Sequence, residues 1–141
     1  MLQQQVLSGN ISDFFQKSDT STLFWKVGNW WILAFGEMDH FLWNEEGFFF
    51  NDQLQKEEKK MVLENYLKKM DLEDSGQAEM TKKSFPFTGG IVGITSYDAG
   101  LLHLGLAPKS KKTPFSEWRG VRNILCQKEG SDDLHLVFRD V

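Results

Sequence analysis

Two aromatic runs set the pattern near the start of the chain. Leu23-Phe24-Trp25-Lys26-Val27 and Trp30-Trp31-Ile32-Leu33-Ala34-Phe35 flank Gly28-Asn29. Residues that tolerate positive φ between two such runs predict a hairpin with a two-residue turn. Residues 36–39 read as a second turn, His40-Phe41-Leu42-Trp43 as a third strand, Asn44-Glu45-Glu46-Gly47 as a further turn, and Phe48-Phe49-Phe50 as a fourth strand. Residues 22–50 therefore predict a β-meander. Strict alternation is missing, because Trp30-Trp31 and Phe48-Phe49-Phe50 put aromatics on both faces, so both faces are expected to meet apolar partners.

Downstream the period changes. Leu63, Tyr66, Leu67 and Met70 recur at helical spacing behind a charged stretch from Gln55 to Lys60, which predicts a helix over 52–70 with Asn51 and Asp52 as caps and Gln55 reaching back. Its lysines are diluted by Glu57, Glu58 and Glu64, the composition of a solvated face rather than of a membrane-binding one. Before the meander, residues 1–20 are polar apart from Ile11, Phe14 and Phe15, where Ser12-Asp13 predicts the cap of a brief helix. Residues 71–84 read as a polar surface loop or mobile linker. Residues 99–106 suggest a short helical turn, and 107–114 a basic, proline-bounded loop with Lys109, Lys111 and Lys112. Residues 121–127 and 134–138 read as two more strands around a turn at 129–132. The expected fold class is α+β, an antiparallel sheet of about seven strands with helices packed on one side. Residues 1–141 are read as a single N-terminal domain or as a fragment of a longer protein, because the chain stops three residues after the strand ending at Phe138.

Composition narrows the function classes. With 40% hydrophobic and 13% aromatic residues, the chain holds enough apolar surface for a packed core. A net charge of −4 lacks the basic excess that neutralises phosphates, so a nucleic-acid partner is not expected. The single cysteine, Cys126, cannot form an internal disulfide, and no secretory leader opens the chain. No apolar run approaches the roughly 20 residues that cross a bilayer. The expectation is a cytoplasmic protein without a membrane partner.

Candidate chemistry is sparse. His40, His103 and His135 do not share the helical spacing of a zinc site, and turn geometry accounts for the cluster Glu37, Asp39 and His40. Cys126 with His135 is the one imaginable nucleophile and base, although a lone strand cysteine is ordinarily core. Trp25, Trp30, Trp31, Trp43 and Trp118 suit a core, and equally a pocket for a planar ligand. No catalytic residues, metal ligands or cofactor-binding residues are assigned, which leaves a binding or scaffold domain.

One segment is unusual for a strand. Phe85-Pro86-Phe87-Thr88-Gly89-Gly90-Ile91-Val92-Gly93-Ile94-Thr95-Ser96-Tyr97-Asp98 carries three glycines in an apolar run. Glycine weakens a strand interior, so this pattern predicts a sharp entry or a close approach to the backbone. A phosphate loop is not indicated, since no Gly-Lys-Ser/Thr ending and no following helix pattern are present.

The same segment resembles the Pro-Phe-x-Gly-Gly-x-x-Gly-Tyr-x-x-Tyr-Asp motif of component I of the chorismate-utilising synthases, which make aminodeoxychorismate or anthranilate. Pro86, Phe87, Gly89, Gly90, Gly93, Tyr97 and Asp98 match, and Ile94 replaces the aromatic. The order of elements over residues 20–100 is also similar, with Trp31, Ile32, Leu33 and Gly36 matching a Trp-Ile-Leu-x-x-Gly phrase. The resemblance implies that this region is noncatalytic and structural, with a C-terminal chorismate-binding domain holding magnesium and the catalytic groups. It further implies a glutamine amidotransferase partner that supplies ammonia, and a place in para-aminobenzoate and folate precursor synthesis. A tryptophan-type pocket of the family would fall near Phe24, Trp25, Lys26 and Trp31. The Leu-Glu-Ser phrase of that pocket lacks its Glu and Ser here, which favours the aminodeoxychorismate branch over the anthranilate branch. Read without the resemblance, the chain is an aromatic-rich module binding a planar ligand.

Overall fold

The computed structural model describes residues 2–17, 22–74, 78–96, 104–105 and 115–139. The described elements begin with β1 (Gln3–Ser8), α1 (Ile11–Lys17), β2 (Leu23–Val27), β3 (Trp30–Phe35), β4 (Asp39–Asn44), β5 (Gly47–Phe50) and β6 (Gln53–Leu54). They continue with α2 (Lys59–Glu73), α3 (Ala78–Ser84), β7 (Gly90–Thr95), β8 (Ser116–Val121), β9 (Asn123–Lys128) and β10 (Asp133–Phe138). The class is α+β, with two antiparallel sheets of five strands each. Two compact units divide the chain, the first made of Met1–Met38, Lys68–Gly90 and Val121–Val141, the second of Asp39–Leu67 and Ile91–Gly120.

In the first unit the strand order is β1-β10-β9-β3-β2. Register places His135 opposite Cys126, Cys126 opposite Ile32, and Ile32 opposite Trp25. Side chains directly opposite share a face, and alternate residues take opposite faces. Trp25, Trp30, Ile32, Cys126 and His135 therefore line one face, while Phe24, Trp31, Leu33, Leu125 and Leu134 line the other. Helix α1 packs on the second face, where Ile11 is buried among Leu33, Leu125 and Leu134. Phe15 extends that contact by stacking on Phe24 at 4.7 Å, and Phe24 stacks on Trp31 at 5.2 Å. The first face is covered by residues 85–87, with Phe85 edge-on to Trp30 at 5.7 Å and Phe87 edge-on to Trp25 at 5.4 Å. Trp30-Trp31 thus serves two cores, one residue to each face.

In the second unit the order is β6-β5-β4-β8-β7. Phe41 lies between Phe50 and Trp118 in register and is fully buried. Tyr66 of α2 stands edge-on to Phe41 at 5.2 Å, and its hydroxyl donates to Asp39 Oδ2 at 2.8 Å. Tyr66 thus docks as expected of the helical face, whereas Leu67 of the same face is exposed.

Several expectations change. All four meander strands form where the pattern places them, but β2 and β3 belong to one sheet and β4 and β5 to the other, because β3 takes β9 as its second neighbour and β4 takes β8. The strand count rises from about seven to ten among the described residues, since the polar edge strand β1, the two-residue β6 and β8, with its sequence SEWRGV, carry no clear apolar alternation to betray them. Helices do not gather on one side of a single sheet. The first unit's sheet has α1 on one face, while on the other α3 reaches it through Thr81, whose hydroxyl lies 3.2 Å from Gln4 Oε1. Asn51 and Asp52, expected as caps, have φ of 49° and 68° and make the β5–β6 turn. Both residue types tolerate the left-handed region, and a two-residue hairpin uses it. Helix α2 starts at Lys59 and runs to Glu73, so the loop expected over 71–84 contains the end of one helix and all of α3. Asn10, rather than Ser12-Asp13, caps α1, accepting from Ser12 N at 3.0 Å. The turn expected over 99–106 lies outside the described residues except for Leu104 and Gly105, and so does the basic loop over 107–114. No described helix is long and apolar enough to cross a membrane.

Truncating Phe41 removes a side chain that three aromatic rings surround. Phe41→Ala is expected to cost about 3–5 kcal/mol in urea unfolding, whereas Ile94→Ala, at a position 79% exposed, should stay within about 0.5 kcal/mol.

Candidate functional site

The glycine segment runs between α3 and the end of β7, and its first half belongs to the first unit. Gly89 and Gly90 have φ of 126° and 138°, values that L side chains rarely adopt, which makes them the sharp entry into the strand. A Cβ on Gly89 would also collide with the guanidinium of Arg139 and sit 3.0 Å from Val121 O. The close approach expected at this backbone therefore comes from a side chain of the same chain.

Arg139 is held by a cluster that hydrophobic patterning does not reveal. Its Nε donates to Asp74 Oδ1 at 2.8 Å and its Nη2 to Asp74 Oδ2 at 2.9 Å, a two-pronged pair with both side chains about 1% exposed. Its Nη1 donates to Thr88 O at 2.6 Å and to Arg122 O at 3.1 Å. The backbone N–H of Arg139 donates to Asn123 Oδ1 at 3.0 Å. Lys82 of α3 adds a second cation, 3.2 Å from Asp74 Oδ2 and 2.9 Å from Asp71 Oδ1. Burial alone would raise the Asp74 pKa, but the hydrogen bonds and charge of Arg139, followed by those of Lys82, outweigh it and hold the carboxyl below its ordinary value. Asp74 falls in the stretch read as a loop, and Arg139 follows the last strand. The one sequence signal for them was indirect: a glycine that must be approached closely implies a bulky neighbour.

In the second unit, Gly93 is the complementary case. A Cβ there would run into the Trp118 indole, which also meets Phe48 at 6.0 Å. Phe87 is half-buried on Trp25, and Pro86 is exposed. Tyr97 and Asp98 lie outside the described residues.

The residues expected around a tryptophan-type pocket are split by strand alternation. Phe24, Lys26 and Trp31 share the α1 face, while Trp25 faces Phe87 on the other side. On the α1 face a cleft of about 470 Å³ lies against Phe24 and Trp31, bounded by Asn10, Ile11, Gln127 and the β9–β10 turn. Gln127 is buried and fully engaged: its Oε1 accepts from Ile11 N at 3.0 Å and its Nε2 donates to Gly9 O at 2.7 Å. Lys26 touches two of the lining residues without lining the cleft itself, 5.3 Å over the Trp31 ring and 3.2 Å from Glu129 Oε2, and Lys128 is the lysine in the lining. The cleft thus offers two stacked aromatic faces, a cation and an acidic turn.

Other candidates separate. Asp39 and His40 take opposite faces of β4, with Asp39 bonded to Tyr66 and Asn51 and His40 Nε2 lying 2.8 Å from Glu117 Oε1. Among the described residues no three His, Cys, Asp or Glu side chains gather to hold a metal ion. Cys126 is fully buried, and burial pushes its thiol up to about 12, the opposite of an activated nucleophile.

The Asp74 pair carries a pH signature. A carboxyl held below its unfolded pKa, about 3.9 for Asp, contributes stability that is fully present above that value and is lost as pH falls through the folded pKa. The stability difference between wild type and Asp74→Asn is therefore expected to stay constant from pH 5 to 8 and to shrink below about pH 4, in urea titrations at each pH. At neutral pH the substitution is expected to cost about 3–5 kcal/mol, because it leaves Arg139 buried beside a neutral side chain. A difference that persists undiminished at pH 2 would assign the effect to shape rather than charge. No protein-family model, curated protein or solved structure matches the chain.

Proposed function

We propose that this chain is the noncatalytic N-terminal region of an aminodeoxychorismate synthase component I, scaffolding the chorismate amination of para-aminobenzoate and folate precursor synthesis. The observation that carries the reading is the glycine motif. Its seven matching residues form a specific pattern, and the described glycines have separate steric reasons to be glycine: positive φ at Gly89 and Gly90, and indole contact at Gly93. A motif made of packing constraints fits a structural joint better than a reactive loop. In this reading the chorismate-binding domain, with its magnesium, lies outside these 141 residues, and a glutamine amidotransferase delivers ammonia to the intact enzyme. This chain contributes fold and interface, and no proton-transfer step is assigned to it.

The test is direct. Incubated with chorismate, ammonia and magnesium, the 141-residue chain is expected to give no aminodeoxychorismate or anthranilate by liquid chromatography, whereas a chain that also carries a chorismate-binding domain should give aminodeoxychorismate. Turnover by the 141 residues alone would remove the proposed division of labour, and anthranilate from the longer chain would reassign the branch.

The cleft beside Phe24 and Trp31 favours a second reading, a module that binds a planar ligand, with tryptophan as the first candidate. Ligand that binds only the folded state raises stability by mass action, by about 2.7 kcal/mol at a hundredfold excess over Kd. Saturable thermal stabilisation by tryptophan, lost in Trp31→Ala, would support a retained pocket, and no shift at millimolar tryptophan would reject it.

A further inference from the structure

We propose that residues 85–89 form a strap that opens as a local unit, latched by the Asp74–Arg139 pair, and that its release uncovers the Trp25, Trp30 and Cys126 face of the first unit's sheet. The strap lies between α3 and β7 and belongs to neither element. Its anchors among the described residues are of two kinds. Phe85 packs on Trp30 and, at 5.0 Å, on His135, while Phe87 packs on Trp25. The polar anchor is Thr88 O, which accepts from Arg139 Nη1, and Arg139 is in turn fixed by Asp74.

The sheet beneath is held differently. Its β10–β9–β3 ladder and the α1 core on the opposite face involve none of the strap residues. Lifting the strap would break the aromatic contacts and the Thr88 bond while leaving the ladder paired, which is the condition for local rather than global opening. The positive-φ pair Gly89 and Gly90 at its end supplies a pivot without side-chain obstruction. The sheet face beneath Phe85 also contains an unsatisfied group, since among the described residues none hydrogen-bonds the buried Nδ1 of His135 in β10. Water reaching that nitrogen on opening offsets part of the lost packing.

Cys126 reports the motion. It lies opposite His135 and Ile32 on the face against which Phe85 and Phe87 pack, and it is fully buried. A thiol-reactive aromatic disulfide, applied at pH 8 to the 141-residue chain over urea concentrations below the unfolding transition, reads its accessibility, with Cys126→Ser as the blank. Wild-type labelling is expected to be nearly independent of urea in this range, because a small opening exposes little surface. The double variant Asp74→Leu/Arg139→Met removes the latch without leaving a lone buried charge. It is expected to label roughly tenfold faster or more, while β9 and β10 amides keep their hydrogen-exchange protection. Should that variant fail to fold, Phe85→Ala removes the apolar anchor and is expected to accelerate labelling in the same way. Labelling that tracks global unfolding with its full urea dependence, or that stays at the wild-type rate in a folded latch or Phe85 variant, would overturn the proposal.

Discussion

The pairing of Arg139 with Asp74 is the constraint around which the first unit is organised. A guanidinium and a carboxylate buried to about 1% exposure must satisfy each other, since neither has water to fall back on. The planar fork of arginine allows two parallel bonds to one carboxylate and leaves Nη1 for carbonyl oxygens. Those carbonyls belong to Thr88 and Arg122. One cation thereby joins the turn after α2, the glycine segment, the β8–β9 link and the end of β10. A lysine could neutralise Asp74, but as a point charge it would lack the fork that reaches all three partners at once. The absence of a side chain at Gly89 follows from the same pair, because the guanidinium occupies the space a Cβ would need.

Around this polar clamp the unit is built from aromatic residues used on both faces of one sheet. α1 stacks Phe15, Phe24 and Trp31 into a continuous column on one side, and the strap sets Phe85 and Phe87 edge-on to Trp30 and Trp25 on the other. The two arrangements have different consequences. A stacked column with a cation over its end leaves ring surface facing the cleft, whereas on the other face Trp25 and Trp30 stay half-buried beneath edge-on rings.

Local patterning made the strands legible because hairpins are short-range events. Gly28-Asn29 and Asn44 to Gly47 punctuate aromatic runs, and the chain turns where they stand. What periodicity does not carry is the identity of the second neighbour. Phe35 and His40 are five residues apart, yet β3 joins β9 and β4 joins β8, pairings decided by register with strands more than seventy residues away. Asn51-Asp52 shows a different limit, since the same residue types that cap helices also accept left-handed turn geometry, and the two-residue strand β6 tipped the choice. The glycine segment was legible as a place of close approach, while the approaching groups, Arg139 and Trp118, were not. Neither leaves a periodic trace, because Arg139 follows β10 and Trp118 sits in β8, whose sequence SEWRGV has no clear apolar alternation.

The steric origin of the glycines also bears on what the motif can mean for function. Gly89 faces a guanidinium and Gly93 an indole, both supplied by this chain. Each requirement would persist if no ligand ever came near, so the pattern is explained as a fold determinant without recourse to chemistry. Function must then rest on what packing does not explain. Within the described part of the motif, that leaves Pro86 and Ile94, which are exposed, and Ile94 is also where the chain departs from the synthase pattern by replacing an aromatic. An aromatic residue at a surface-facing strand position is the kind of side chain that a neighbouring domain buries. Isoleucine there keeps the apolar character and the strand preference while giving up ring contacts. Under the proposed function, the surface that meets Ile94 is therefore expected to be apolar at this point but without a ring-shaped recess.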